Sequence, residues 1–219
     1  PTVRSISIDK VIDPAEITLD LVKDLDSLKP FGHSNPQPVF MIQNARLDGI
    51  YSLSNGKHLR LQFTTNDISF STVYFCMGYK RFCYHIGQTL NLLVRIEKST
   101  YKGVEKADIY IIDIRPTTFL QKQTLSASVA FDALMRDEVL PAKVAAASYP
   151  SRAEFAFVYR FLQKKKVFYG LTEELYLTLI EMGINYCKLA VILEALRRSC
   201  LININKKDKQ IRLVERPPK

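Results

Sequence analysis

Between residues 38 and 116, apolar side chains recur at every second position in several separate runs. Such alternation gives a strand one buried and one solvent-facing side, so the segment must fold as a sheet around a core. In "HLRLQF", Leu59, Leu61 and Phe63 fall on one face, Arg60 and Gln62 on the other. "VFMIQNARL" precedes it and "ISFSTVYF" follows. "TLNLLVRIE" then aligns Leu90, Leu92, Val94 and Ile96, and "ADIYIIDIR" aligns Tyr110, Ile112 and Ile114. "SNGK" at 54–57 and "YKG" at 101–103 supply turns.

The stretch "GYKRFCYHIG" at 78–87 fits a short helix or turn between the third and fourth runs. Five strands with that insert follow the order of an OB-type β-barrel. Beyond residue 150 the period changes. "RAEFAFVYRFL" groups Phe155, Val158, Tyr159 and Leu162 on one helical face. "LTEELYLTLIEMG" reads as a second helix, capped by Thr172 and closed by Gly183. "NYCKLAVILEALRRS" reads as a third, with Leu189, Ile192, Leu193 and Leu196 inward. "CLININ" and "QIRLVE" flank the turn "KKDK", so this part is expected to be winged-helix-like. At the other end, "ISI" at 6–8 ends a strand, and "DPAE" at 13–16 starts a helix with an apolar stripe of Ile17, Leu21, Leu25 and Leu28. The fold class expected is α+β: a strand–helix remnant (1–37), an OB domain (38–116), a linker (117–149) and a winged-helix-like domain (150–219).

Charge is uneven along the 219 residues. Residues 1–36 sum to −2, 37–116 to +4, 117–149 to zero and 150–219 to +7. Two basic modules around a neutral stretch point to a polyanion, with solubility as the plainer explanation. The longest apolar runs are too short to span a bilayer. Cys76, Cys83, Cys187 and Cys200 form no CxxC pair, so reduced thiols in a cytoplasmic protein are expected. With His33, His58 and His85 they match no zinc spacing, and no cofactor is expected within the chain. The abrupt start at Pro1 reads as a fragment.

OB domains bind single strands on the face of their second and third strands. There Arg60 and Gln62 are expected to point outward, with Phe70, Thr72 and Tyr74 beside them if Val73 and Phe75 point inward. Packing on a neighbouring domain is the equal alternative for the two aromatics. Lys57, Lys80 and Arg81 would rim the groove. In the last part Lys164, Lys165, Lys166, Arg197, Arg198, Lys206 and Lys207 form a basic set, suited to clamping DNA, docking an acidic peptide or simply meeting solvent. Paired catalytic carboxylates, a nucleophile elbow and a phosphate loop are missing from the sequence.

"LDSLKPFGHSNPQPVF" at 25–40 resembles the L..L.PFG.GNP.P.F signature of the RecJ family, exonucleases that degrade single-stranded DNA from 5′ to 3′. Ser34 stands where that family usually has Gly. "IDKVIDPAEITLDLVKDL" looks like the end of the family's DHHA1 domain, and "GKHLRLQF" and "YKGVEKADIYIIDIRP" look like its barrel. "YPSRAEFAFVYRFL" resembles the start of its C-terminal domain. The resemblance implies a DNA-repair and recombination exonuclease whose metal ligands, for Mn or Mg, lie upstream. It implies that this segment binds without cutting, and that Pro30, Phe31, Gly32, Asn35 and Pro36 form a joint to the missing core. Phe31 would anchor that joint and Gly32 permit its turn. Expected partners are single-stranded DNA and the acidic tail of a single-strand-binding protein, with the chain a monomer. The alternatives are a non-catalytic replication scaffold and a winged-helix regulator reading duplex DNA.

Overall fold

Strand β1 (Lys10–Val11) opens a computed structural model that describes residues 6–214 in two units, one ending at Thr117 and the other starting at Thr118. Asp13 caps one turn of 3-10 helix (Pro14–Glu16) through the expected capping box. The expected continuous helix is broken there. Thr18 caps a separate helix α1 (Leu19–Ser27), its Oγ1 accepting from the Leu21 amide.

The barrel strands are β2 (Phe40–Leu53), β3 (His58–Thr65), β4 (Ile68–Tyr74), β5 (Thr89–Tyr101) and β6 (Val104–Pro116). They lie in the order β2-β3-β4-β6-β5, and β5 closes on β2. The β4–β6 contact is parallel and the others are antiparallel. A 3-10 turn, Tyr79–Arg81, sits between β4 and β5. This is the OB arrangement. Leu59, Leu61, Phe63, Leu90, Leu92 and Val94 are all fully buried, because the alternating apolar face has nowhere else to go.

Two expectations for the first unit need correction. Residues 6–37 do not stand apart from the barrel: β1 pairs in parallel with β2, Lys10 opposite Phe40, and α1 packs on β5 and β6. In β6 the inward residues are Ile109, Ile111 and Ile114, not Tyr110, Ile112 and Ile114. The register against β5 slips between Leu93 and Val94, where Ile112 is the extra residue. One extra residue reverses the side-chain parity.

The second unit begins with helices in the stretch expected to be a linker: α2 (Gln121–Met135) and α3 (Ala142–Ser148). Both pack on α6, and Ala130 and Ala133 of α2 are buried. The elements that follow are α4 (Arg152–Lys165), β7 (Val167–Phe168), α5 (Thr172–Leu179), α6 (Tyr186–Arg198), β8 (Ile202–Asn205) and β9 (Gln210–Leu213). The sheet order β7-β9-β8 with helices before and between is that of a winged helix. Strand β7 is too short for periodicity to show it. Val158, Leu162, Leu189, Ile192, Leu193 and Leu196 form the core. Thr172 is not the cap of α5. Leu171 holds that position, and its amide donates to Glu174 Oε2 at 2.9 Å. Gly183 ends the following 3-10 turn in the left-handed conformation, as its lack of Cβ allows.

Candidate nucleic-acid interface

Strand register decides which side chains reach the outside of the barrel. Leu59, Leu61 and Phe63 of β3 sit opposite Tyr74, Thr72 and Phe70 of β4. Since the first three are buried, the other three face inward as well. Phe70 stacks on Phe63 at 5.8 Å, and Thr72 is buried with its hydroxyl donating to the Leu61 carbonyl. Burial pushes the Tyr74 phenol up to about 12, with the nearby Asp113 carboxylate adding to it. The expected outward placement of Phe70, Thr72 and Tyr74 is therefore reversed. Ser69, Ser71, Val73 and Phe75 take the outer positions. The polar pair Ser69 and Ser71 was the signal: "ISFS" alternates with serine on the wet side.

Arg60 and Gln62 do lie on the outside. Following the register from strand to strand, Tyr51 faces Arg60, Arg60 faces Val73, Val73 faces Tyr110 and Tyr110 faces Arg95. One transverse row thus crosses all five strands. Along the barrel wall, Tyr51 and Tyr110 are three strands apart, and so are Arg60 and Arg95. Each end of the row pairs an aromatic ring with a guanidinium. Among the described residues neither arginine has a hydrogen-bonding or ionic partner. Tyr51 is 58% exposed. Its ring lies over Gly49, where an added Cβ would fall 2.8 Å from a ring carbon. The glycine leaves room for an aromatic plate to lie flat.

A second aromatic group adjoins Tyr110. Phe75, half exposed, stacks on it with centroids 5.2 Å apart, and His58 meets Phe75 edge-on at 5.1 Å. His58 Nδ1 accepts from the Cys76 amide at 2.9 Å, tying the end of β4 to the start of β3. The rim expected from Lys57, Lys80 and Arg81 comes together in part. A Cβ on Gly78 would lie 3.2 Å from the Gly56 carbonyl, so the segment carrying Lys80 and Arg81 closes on the turn carrying Lys57. Tyr79 is exposed on the same turn. The sequence pattern does not single out Tyr51 or Arg95 and puts Phe75 and Tyr110 on inward faces, since pairing register is a long-range property.

The basic set of the second unit divides. Arg197 and Arg198 both bond Glu194, at 2.7 Å, which holds that carboxyl down at about 2. Lys164 and Lys165 lie in the last turn of α4, with the Lys165 ammonium 6.0 Å from the Phe161 ring centre. Lys166 has a positive φ and its carbonyl accepts from the Leu213 amide. Lys206 and Lys207 are exposed on the hairpin between β8 and β9.

At the expected joint, Asn35 Nδ2 donates to the carbonyls of Leu28 (2.7 Å) and Pro30 (3.1 Å), and the Gly32 amide donates to the Asn35 carbonyl. Phe31 lines a cleft with Leu25, Pro38 and Ile96, so it anchors in this unit's own surface. Gly32 does not have the role expected of it. Its φ is not positive and a Cβ there would meet open space. Pro36 follows Asn35 without a specific contact in this network. Among the described residues no group of three or more His, Cys, Asp or Glu could hold a metal, so the Mn or Mg implied by the resemblance finds no donor set here. No helix among them is long and apolar enough to cross a membrane.

Residues 8–113 match the family model of the RecJ OB domain. RecJ from Thermus thermophilus in complex with Mn2+ is similar at 16% identity, over 54% of this chain and 17% of that one, with a TM-score of 0.43. Its Mg2+ complex gives 16% identity, 52% and 17% coverage and a TM-score of 0.39. A replication protein A heterotrimer bound to single-stranded DNA gives 9% identity, 46% and 75% coverage and a TM-score of 0.28. The chain thus spans 17% of the length of the RecJ structures it matches. No curated protein sequence matches it.

Proposed function

We propose, from the premise that residues 8–113 are a RecJ OB domain, that this chain grips and positions single-stranded DNA for a RecJ-type exonuclease. The observation that carries the reading is the transverse row Tyr51–Arg60–Val73–Tyr110–Arg95. Flat rings accept bases of any identity by stacking, and unpaired guanidinium groups accept the phosphates between them. Two ring–cation pairs repeated across the barrel suit a flexible strand laid over it. Gln62 and the loop cations Lys57, Lys80 and Arg81 extend that surface. The catalytic residues and the Mn or Mg they use belong to sequence outside these residues, in a cytoplasmic repair and recombination enzyme acting as a monomer. The 25–40 segment is the joint to that core.

Fluorescence anisotropy with a labelled oligo-dT tests the reading. Tyr51→Ala or Tyr110→Ala should each weaken binding about 5- to 100-fold, the range of one lost stack. Arg60→Gln with Arg95→Gln should flatten the log–log salt dependence by about 1.4, two phosphates' worth for a single strand. Tyr74→Phe should leave affinity unchanged. Wild-type affinity in all the row variants would sink the proposal. Cleavage of the oligonucleotide by the pure chain with manganese would sink the non-catalytic part.

A further inference from the structure

We infer that the β8–β9 hairpin of the second unit is a contact for the phosphate backbone of duplex nucleic acid, one that works without a helix in the groove. In a winged helix the third helix is the element that enters a major groove. Helix α6 is poorly placed for that work. Here α2 and α3 pack along it, and Cys187, Leu189, Ala190, Ile192, Leu193 and Leu196 are buried. Its two arginines are both engaged by Glu194, and Arg198 also reaches the sulfur of Met135 on α2. Little polar surface is left on α6 for base edges.

The hairpin differs on each count. Asn205 and Gln210 close a turn that carries Lys206, Lys207, Asp208 and Lys209, all exposed. Asn205 Oδ1 accepts from the amides of Lys207 (2.9 Å) and Asp208 (3.0 Å), which fixes the turn. Asn205 Nδ2 donates to Asp208 Oδ2 at 2.8 Å, so the turn's one carboxylate is occupied by an amide. None of the three lysine ammonium groups has a partner among the described residues. Arg212 stands exposed three residues along β9. At strand rise that is roughly 10 Å from Lys209. Its Nε donates to the neutral Gln210 Oε1.

Four cations and one occupied carboxylate therefore line an exposed hairpin. No large apolar side chain is exposed within the turn, so nothing there would hold the side chains of an acidic peptide. A duplex carries about one charge per 1.7 Å of its axis, so a strip of this length meets several phosphates at once. Contacts of that kind position a protein without reading sequence.

The experiment uses the full chain, with two blunt duplexes of about 20 base pairs and different sequence, in a salt series. Lys206→Gln, Lys207→Gln and Lys209→Gln together should lower duplex affinity about tenfold at low salt and flatten the salt slope by about 2.7. The two duplexes should bind within a factor of three, and Arg197→Gln with Arg198→Gln should change neither value. A matched melting temperature for the hairpin variant establishes that it folds. An unchanged slope overturns the inference. So does a loss at least as large on oligo-dT, or a loss confined to an acidic tail peptide. The barrel proposal is read separately, because its row variants act on oligo-dT and leave these lysines in place.

Discussion

Two surfaces of this protein are rich in basic residues, and they use them in opposite ways. On the barrel, Arg60 and Arg95 stand unpaired on the outer face, Arg60 next to the exposed Tyr51 ring and Arg95 next to the half-buried Tyr110 ring. On α6, a helix that α2 packs against, Arg197 and Arg198 converge on a single carboxylate. Each surface contributes two arginines. What separates them is spacing. A strand keeps Arg60 two positions from Gln62 on the same face, with no acid in reach. A helix brings Glu194 within three and four residues of both arginines, the distances at which helical side chains meet. A count of cations is therefore a poor measure of available charge.

Four substitutions test that contrast. The largest effect belongs to the buried side of the barrel. Phe63 is a fully buried ring. Phe63→Ala should cost about 3–5 kcal/mol of stability in urea denaturation, with single-strand binding lost as the fold is lost. A mild loss would mean that the two faces of β3 are not as distinct as the register makes them.

Glu194→Gln comes next. It should free both arginines and raise duplex affinity several-fold in the anisotropy assay. The same residue shapes stability in acid. Its folded-state pKa is depressed from 4.5 to about 2. Its contribution is therefore complete above the upper value and disappears as pH falls towards the lower one. The acid-side slope of the urea midpoint should flatten in the variant. An unaltered profile would mean that the ion pairs are not formed in solution.

Gly49→Ala should have a smaller effect, and mainly on function. Its Cβ would meet the far edge of the Tyr51 ring, which can swing away. Affinity for oligo-dT should fall a few-fold while the urea midpoint barely moves. If affinity holds, Tyr51 is not a stacking plate. Smallest of all is Gly32→Ala, at a site with open space and an ordinary φ. Its stability change should stay within about 0.5 kcal/mol.

The barrel's inward faces were readable because alternation is local. Leu59, Leu61, Phe63 and the apolar positions of β5 announced themselves. Strand β4 was harder, since "ISFSTVYF" places aromatics on both faces, and only its two serines argue for one of them. Strand β6 misled because a bulge at Ile112 is invisible until the partner strand is known. The helices α2 and α3 looked like linker, being weakly amphipathic, with Ala130 and Ala133 too small to advertise a buried face. The candidate row was legible only at Arg60, as its other members are joined by pairing across the barrel.

By itself the sequence determined the periods: alternation for five strands, a helical repeat beyond residue 150, and the turns between them. Those are short-range consequences of side chains sorting themselves between water and a core. It also determined that the chain would be basic. Tertiary structure alone decided which outward residues meet, because register and bulges are settled between strands distant in sequence. It decided too which cations remain free, because a charge is available only where folding leaves no carboxylate beside it.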